Sequence, residues 1–241
     1  MNATEYRRCC TARRIATVSI HSTVSGSGPR VVCTHGLGAT SATWHAQVQG
    51  LDSDHEVVTW DLPGHGASGV VPGRRYDRDT AIEYLSQVSG PAVSVHVGHS
   101  LGGYLALVHA VRHPGRVAGL VLIATGPGFR DPVSRRRWNA WLRRFARERG
   151  IPSAVMGIAT QPDALVIDRL DAIEVPVAVV VGGADWRFHA GAAQLVRRLD
   201  ATLVVVEGAG HAVHETHPVP VNRAILDLCA RVRAAAGTEG D

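Results

Sequence analysis

The 241-residue sequence predicts an α/β architecture: a mostly parallel central sheet flanked by helices on both faces. Two observations carry that expectation. Short runs dominated by Val, Ile and Leu alternate with helix-like segments, and such runs suit strands buried on both faces of a parallel sheet. Glycine-rich loops bearing Ser, Asp and His follow several of the runs, at the strand ends where ligands gather in open parallel sheets.

Taken in order, residues 15–24 alternate in strand fashion before a Gly26-Ser27-Gly28-Pro29 turn, and 31–34 form a short buried strand ending in His35-Gly36-Leu37-Gly38. A helix is expected over 44–51 and a strand over 56–60. The loop Asp61-Leu62-Pro63-Gly64-His65-Gly66-Ala67-Ser68 comes next, then a helix over 77–88. Strand 92–97 runs directly into helix 101–113, and strand 117–124 follows. Beyond a break the expected elements are strand 177–181, helix 190–199, strand 203–206 and helix 219–235. The segment 126–172 interrupts this rhythm. The organisation expected is a flexible N-terminal arm (1–13), a core formed by 14–125 and 173–236, and a helical insertion at 126–172.

Composition narrows the function. All 25 basic residues are arginine, which excludes a Schiff-base lysine and a phosphate-loop lysine. A formal charge of +4, with no recognised nucleic-acid motif, argues against a DNA or RNA binder. Cys9, Cys10, Cys33 and Cys229 lack the paired spacing of a zinc site and make a poor disulfide framework, so no metal is expected. No apolar stretch follows the arginines near the N-terminus, and no run of 18 apolar residues occurs. A cytoplasmic protein without a membrane span or a cleaved signal is expected.

The most informative stretch is Gly98-His99-Ser100-Leu101-Gly102-Gly103, a G-x-S-x-G sequence between strand and helix. A strand that becomes a helix without an intervening loop must bend sharply, and glycines two positions either side of Ser100 leave room for neighbouring backbone. Ser100 is therefore the candidate nucleophile. A serine hydroxyl needs a base, and a histidine base needs an acid to fix its tautomer. Asp185 follows strand 177–181 in Gly182-Gly183-Ala184-Asp185, and His211 follows strand 203–206 in Gly208-Ala209-Gly210-His211. His214 and His217 are rivals for the base and Asp131 for the acid.

These segments, with the His35 and Asp61 loops, resemble in order the α/β-hydrolase superfamily, in particular its single-domain, esterase-like serine hydrolases with a short cap. The resemblance covers about residues 15–235. It implies the α/β-hydrolase fold, with Ser100 as nucleophile, His211 as base, Asp185 as its acid, and the backbone N–H groups of Leu37 and Leu101 as the oxyanion hole. No cofactor is implied. Branches with an aspartate nucleophile are disfavoured by the serine at position 100, and the cap is shorter than in many relatives. A small-molecule acyl substrate, held as an ester, lactone or thioester, is expected. His35, Gly36, His99, Trp138, Trp141 and Trp186 are candidate substrate contacts. His35 and His65 also suit loop-orienting hydrogen bonds.

Within 126–172, Trp138, Trp141, Leu142 and Phe145 recur at helical spacing, while Arg135, Arg136, Arg137, Arg143, Arg144 and Arg147 fill much of the remaining surface. That surface suits plain solvation, an acidic substrate, a lipid surface, or an acidic or acyl-carrier partner. Two other functions stay open: carbon–carbon bond hydrolysis or a non-hydrolytic lyase or cyclase reaction with the same residues, and a non-catalytic small-molecule receptor.

Overall fold

A computed structural model describes residues 19–237. The strands are β1 (Ser22–Ser25), β2 (Arg30–Thr34), β3 (Glu56–Trp60), β4 (Ser94–His99), β5 (Val117–Ile123), β6 (Val177–Gly182) and β7 (Thr202–Val206). The helices are α1 (His45–Leu51), α2 (Arg78–Ser89), α3 (Leu101–Arg112), α4 (Pro132–Glu148), α5 (Met156–Ala159), α6 (Leu165–Arg169), α7 (Trp186–Leu199), α8 (Val213–Thr216) and α9 (Pro218–Gly237). Among the described residues, seven strands form one sheet in the order β1-β3-β2-β4-β5-β6-β7, parallel except for β1, which runs antiparallel to β3.

Two-residue periodicity explains why the central strands are apolar throughout. Along β5, Leu120 and Leu122 join the cluster on one face of the sheet while Val121 and Ile123 join the other. In β6, Val177, Val179 and Val181 divide from Ala178 and Val180 in the same way. Helices α2, α3 and α7 cover the first face, and α1 and α9 the second. Helix α3 buries ten of its twelve residues, so it is apolar nearly all round.

The chain builds outward from β2 to β3, then crosses back to place β4 on the other side of β2. That reversal opens a crevice at the carboxyl ends of β2 and β4. The loop after β2 carries His35, Gly36 and Leu37, and the turn after β4 carries Ser100. Topology alone thus brings those two segments together.

Several boundaries differ from expectation. Strand β1 is only Ser22–Ser25, an edge strand paired from Ser22↔Trp60 to Ser25↔Val57; the expected arm 1–13 and residues 14–18 lie outside the described residues. Strand β4 extends to His99 because its register with β5 continues through His99↔Ile123. Strand β5 stops at Ile123, since Ala124 has φ of 48°. Helix α7 begins at Trp186, four residues before the expected start, directly after Asp185. Between β5 and β6 lie α4, α5 and α6, with Asp131 capping α4 by accepting from the Val133 and Ser134 N–H groups. Cys33 and Cys229 are buried free thiols, and no described helix is long and apolar enough to cross a membrane.

Candidate active site

Ser100 occupies the turn between β4 and α3 at φ 53° and ψ −110°, a region that non-glycine residues rarely adopt and that costs about 1–3 kcal/mol. The surroundings hold it there. Its N–H donates to the Ile123 carbonyl (2.8 Å), and its own carbonyl accepts from Thr125 Oγ1 (2.8 Å). A Cβ on Gly98 would collide with the Gly102 carbonyl oxygen, and one on Gly102 with the Thr34 carbonyl oxygen. The two glycines therefore permit the close crossing of turn, helix and β2 that projects Ser100 from the sheet.

Ser100 opens onto a cavity of about 220 Å³. That exceeds the roughly 150 Å³ that accommodates benzene in an apolar cavity, so a small or medium acyl group fits. Leu37 and Leu101 line the same cavity. Among the described residues neither backbone N–H donates to a protein acceptor, as donors awaiting an oxyanion require. The loop bearing Leu37 is clamped by His35, whose Nε2 accepts from the Leu62 N–H (2.9 Å) while Nδ1 donates to the Gly36 carbonyl (2.7 Å). Burial, reinforced by His65 nearby, lowers the His35 pKa to about 4 and keeps this clamp neutral.

His211 Nδ1 lies 2.8 Å from Asp185 Oδ2. A carboxylate can only accept, so Nδ1 carries the proton and Nε2 has its lone pair free to take another. Asp185 is 9% exposed and His211 40%, so the carboxylate is sheltered while the imidazole borders solvent. Phe188, one helical turn after Asp185, stacks on the His211 ring at 4.5 Å and also lines the cavity. The Asp185 and His211 loops are stitched by Gly183 N–H to Val206 (2.8 Å) and Ala184 N–H to Ala209 (2.9 Å). Among the described residues Ser100 and His211 are not hydrogen-bonded to each other. Such bonds are often long in unliganded sites and tighten with substrate.

The remaining candidates separate. Trp138 lines the cavity, packing edge-on to Phe188 at 6.1 Å. Trp141 sits behind it at 5.0 Å and does not line the cavity. Trp186 is 72% exposed and also lies off the lining. His99 is buried, and its Nε2 donates to the His211 carbonyl at 2.9 Å. Against the expectation of a substrate contact, it lies beneath the site and joins two of its loops. Gly36 likewise lies under the Leu37 loop, facing His99 Nδ1. Of the rivals, Asp131 is committed to its helix cap, His214 is buried against Trp44 at 4.5 Å, and His217 bonds the Thr216 hydroxyl.

Sequence reasoning missed Phe188, Thr125 and Gln161. Phe188 is legible once α7 is started at Trp186, directly after Asp185. Gln161 lines the cavity and its Oε1 is buried without a partner among the described residues, leaving an acceptor for a substrate donor. Nothing in the local sequence signals that role, because it depends on Asn139 clamping the Gln161 backbone through both its amide atoms. No group of three or more metal-ligating side chains occurs among the described residues.

A family model described as the alpha/beta hydrolase family matches residues 31–224. The pimeloyl-[acyl-carrier protein] methyl ester esterase of Chromobacterium violaceum is 40% identical over 104 residues, 43% of this chain and 40% of that protein. Its namesake from Sodalis glossinidius is 28% identical over 88% of this chain and 98% of its own length. The chain spans 40–49% of the length of the first five curated relatives it matches. Among solved structures, a thermophilic esterase from Thermogutta terrifontis superposes with a TM-score of 0.72 at 26% identity, covering 89% of this chain and 94% of that one.

Proposed function

The chain belongs to the α/β-hydrolase family, and from that premise we propose that it hydrolyses a carboxylic ester, lactone or thioester through an acyl-enzyme on Ser100. The observation that carries this reading is the 2.8 Å bond from His211 Nδ1 to Asp185, which leaves Nε2 as the proton acceptor. Ser100 Oγ attacks the acyl carbonyl as Nε2 takes its proton. The tetrahedral oxyanion accepts from the Leu37 and Leu101 N–H groups, and each such donor contributes about 10²–10³ in rate. His211 then returns the proton to the leaving alcohol or thiol, and water activated by the same nitrogen releases the acid and restores Ser100. Asp185 holds the tautomer and stabilises the imidazolium.

The acyl group occupies the cavity under a helical cap at 126–172, against Trp138, Phe129 and Leu142, with the described residues on either side of that insertion as the core. The names of the relatives point to an acyl group borne on an acyl-carrier protein. The basic face of α4 suits an acidic carrier of that kind.

The test is turnover of a panel of small esters, lactones and thioesters. Hydrolysis that falls by on the order of 10⁴-fold or more in Ser100→Ala is the expected result. A folded protein that turns over none of them, yet gains thermal stability from a small ligand, would identify a receptor instead.

A further inference from the structure

Helix α4 also borders a second hollow of about 550 Å³, lined by Arg75, Arg143, Ala146, Arg147, Ile151, Ser153, Met156, Gly157 and Thr160. The helix is a shared wall. Trp138 and Leu142 face the first cavity, and Arg143, Ala146 and Arg147 face the second. The volume is within the range of small-molecule sites.

Its charge is one-sided. Arg143 and Arg147 stand at i and i+4, a spacing at which like charges repel. Arg75 adds a third guanidinium from the loop before α2. None of the three forms an ion pair among the described residues. The neighbouring acids are committed elsewhere. Glu148 faces Arg144, and the Asp77 carboxylate caps α2 through Thr80, although its backbone bridges to Gly157. The C-terminal end of α4 offsets part of the charge of Arg147 in its last turn, but does nothing for Arg75.

We propose that this hollow binds the phosphoryl group of a small molecule, at a site separate from the Ser100 cavity. Guanidinium forks match phosphate oxygens two at a time, and three of them balance a multiply charged anion better than a single carboxylate. Ser153, in the lining, carries a neutral hydroxyl donor. Ile151, also in the lining, packs toward Gly38 beside Leu37, so the hollow adjoins the loop that faces Ser100.

Inorganic pyrophosphate is the probe, titrated calorimetrically into the full chain at near-physiological salt. One-to-one binding tighter than about 1 mM is expected, with at least a tenfold loss in Arg143→Gln/Arg147→Gln and again in Arg75→Gln. Circular dichroism melts verify that the exposed substitutions leave the fold intact. Absence of binding, or binding unchanged in both variants, overturns the proposal. So does adsorption to phosphatidylglycerol vesicles without pyrophosphate binding, which would mark a general basic surface. None of these outcomes bears on hydrolysis at Ser100, which the ester panel tests separately.

Discussion

Two buried histidines do work at the site without touching substrate in the proposed mechanism. His35 holds the Leu37 loop against Leu62, and His99 ties the strand that delivers Ser100 to the backbone of His211. Burial, with His214 and His211 nearby, drives the His99 pKa well below the usual value, so its ring stays neutral and its Nε2–H remains a donor. Replacing His99 by Phe should therefore lower kcat by about tenfold or more at near-constant KM, because a displacement of His211 affects the transition state rather than binding. His99→Gln, which keeps an N–H donor, should recover part of the loss. Equal kcat in both variants and the parent would show that the bond only packs the core. The G-x-S-x-G turn disclosed Ser100, but the position of His99 was not legible, since a histidine beside a serine reads equally well as a pocket wall.

Helix α4 presents contrasting faces. Leu142 and Ala146 are buried, Trp138 lines the cavity, and Arg136, Arg137, Arg143, Arg144 and Arg147 are exposed. If the part of that basic face outside the Arg143–Arg147 hollow, Arg136, Arg137 and Arg144, docks an acidic carrier, kcat/KM for a carrier-linked acyl ester should rise several-fold as ionic strength falls, while a small neutral ester shows little change. Salt-insensitive turnover of the carrier-linked substrate would remove the docking role. The helical period of Trp138, Trp141, Leu142 and Phe145 made this element legible. It could not tell which aromatic ring meets the cavity, because all lie on neighbouring faces and only the packing of Phe188 and Phe129 decides. Helix α7 shows the opposite limit. Its first turn, Trp186 to His189, lacks an apolar period of its own and is helical because the Asp185 loop is held against the strand ends.

At the scale of the whole molecule, the order of apolar runs and glycine loops made the sheet legible, and with it the convergence of the Ser100, Asp185 and His211 loops. Edges were less legible: β1 is exposed and pairs on one side only, so no burial pattern fixes its ends. The same sheet buries an unusual set of titratable rings. Burial lowers the pKa values of His35, His109 and His214 to about 4 and that of His96 to about 3, from an ordinary 6.5. Between pH 6.5 and those values the unfolded chain binds protons that the folded chain refuses. Stability is therefore full above pH 6.5 and falls as pH drops toward 4, by up to about 1.4 kcal/mol per unit for each ring. Against a total of about 5–15 kcal/mol, several such rings make unfolding near pH 4–5 the expected outcome of denaturant titrations across this range. A midpoint unchanged from pH 7 to 4.5 would contradict it.

The proposed mechanism makes Ser100 a nucleophile activated by His211. Its most direct test is intact-mass and peptide mapping after exposure to a fluorophosphonate, which reports the attacking atom without knowledge of the natural substrate. The expected result is one adduct per chain, on Ser100, absent in Ser100→Ala and strongly slowed in His211→Ala. A folded protein that acquires no adduct, or acquires it equally in Ser100→Ala, would contradict the account.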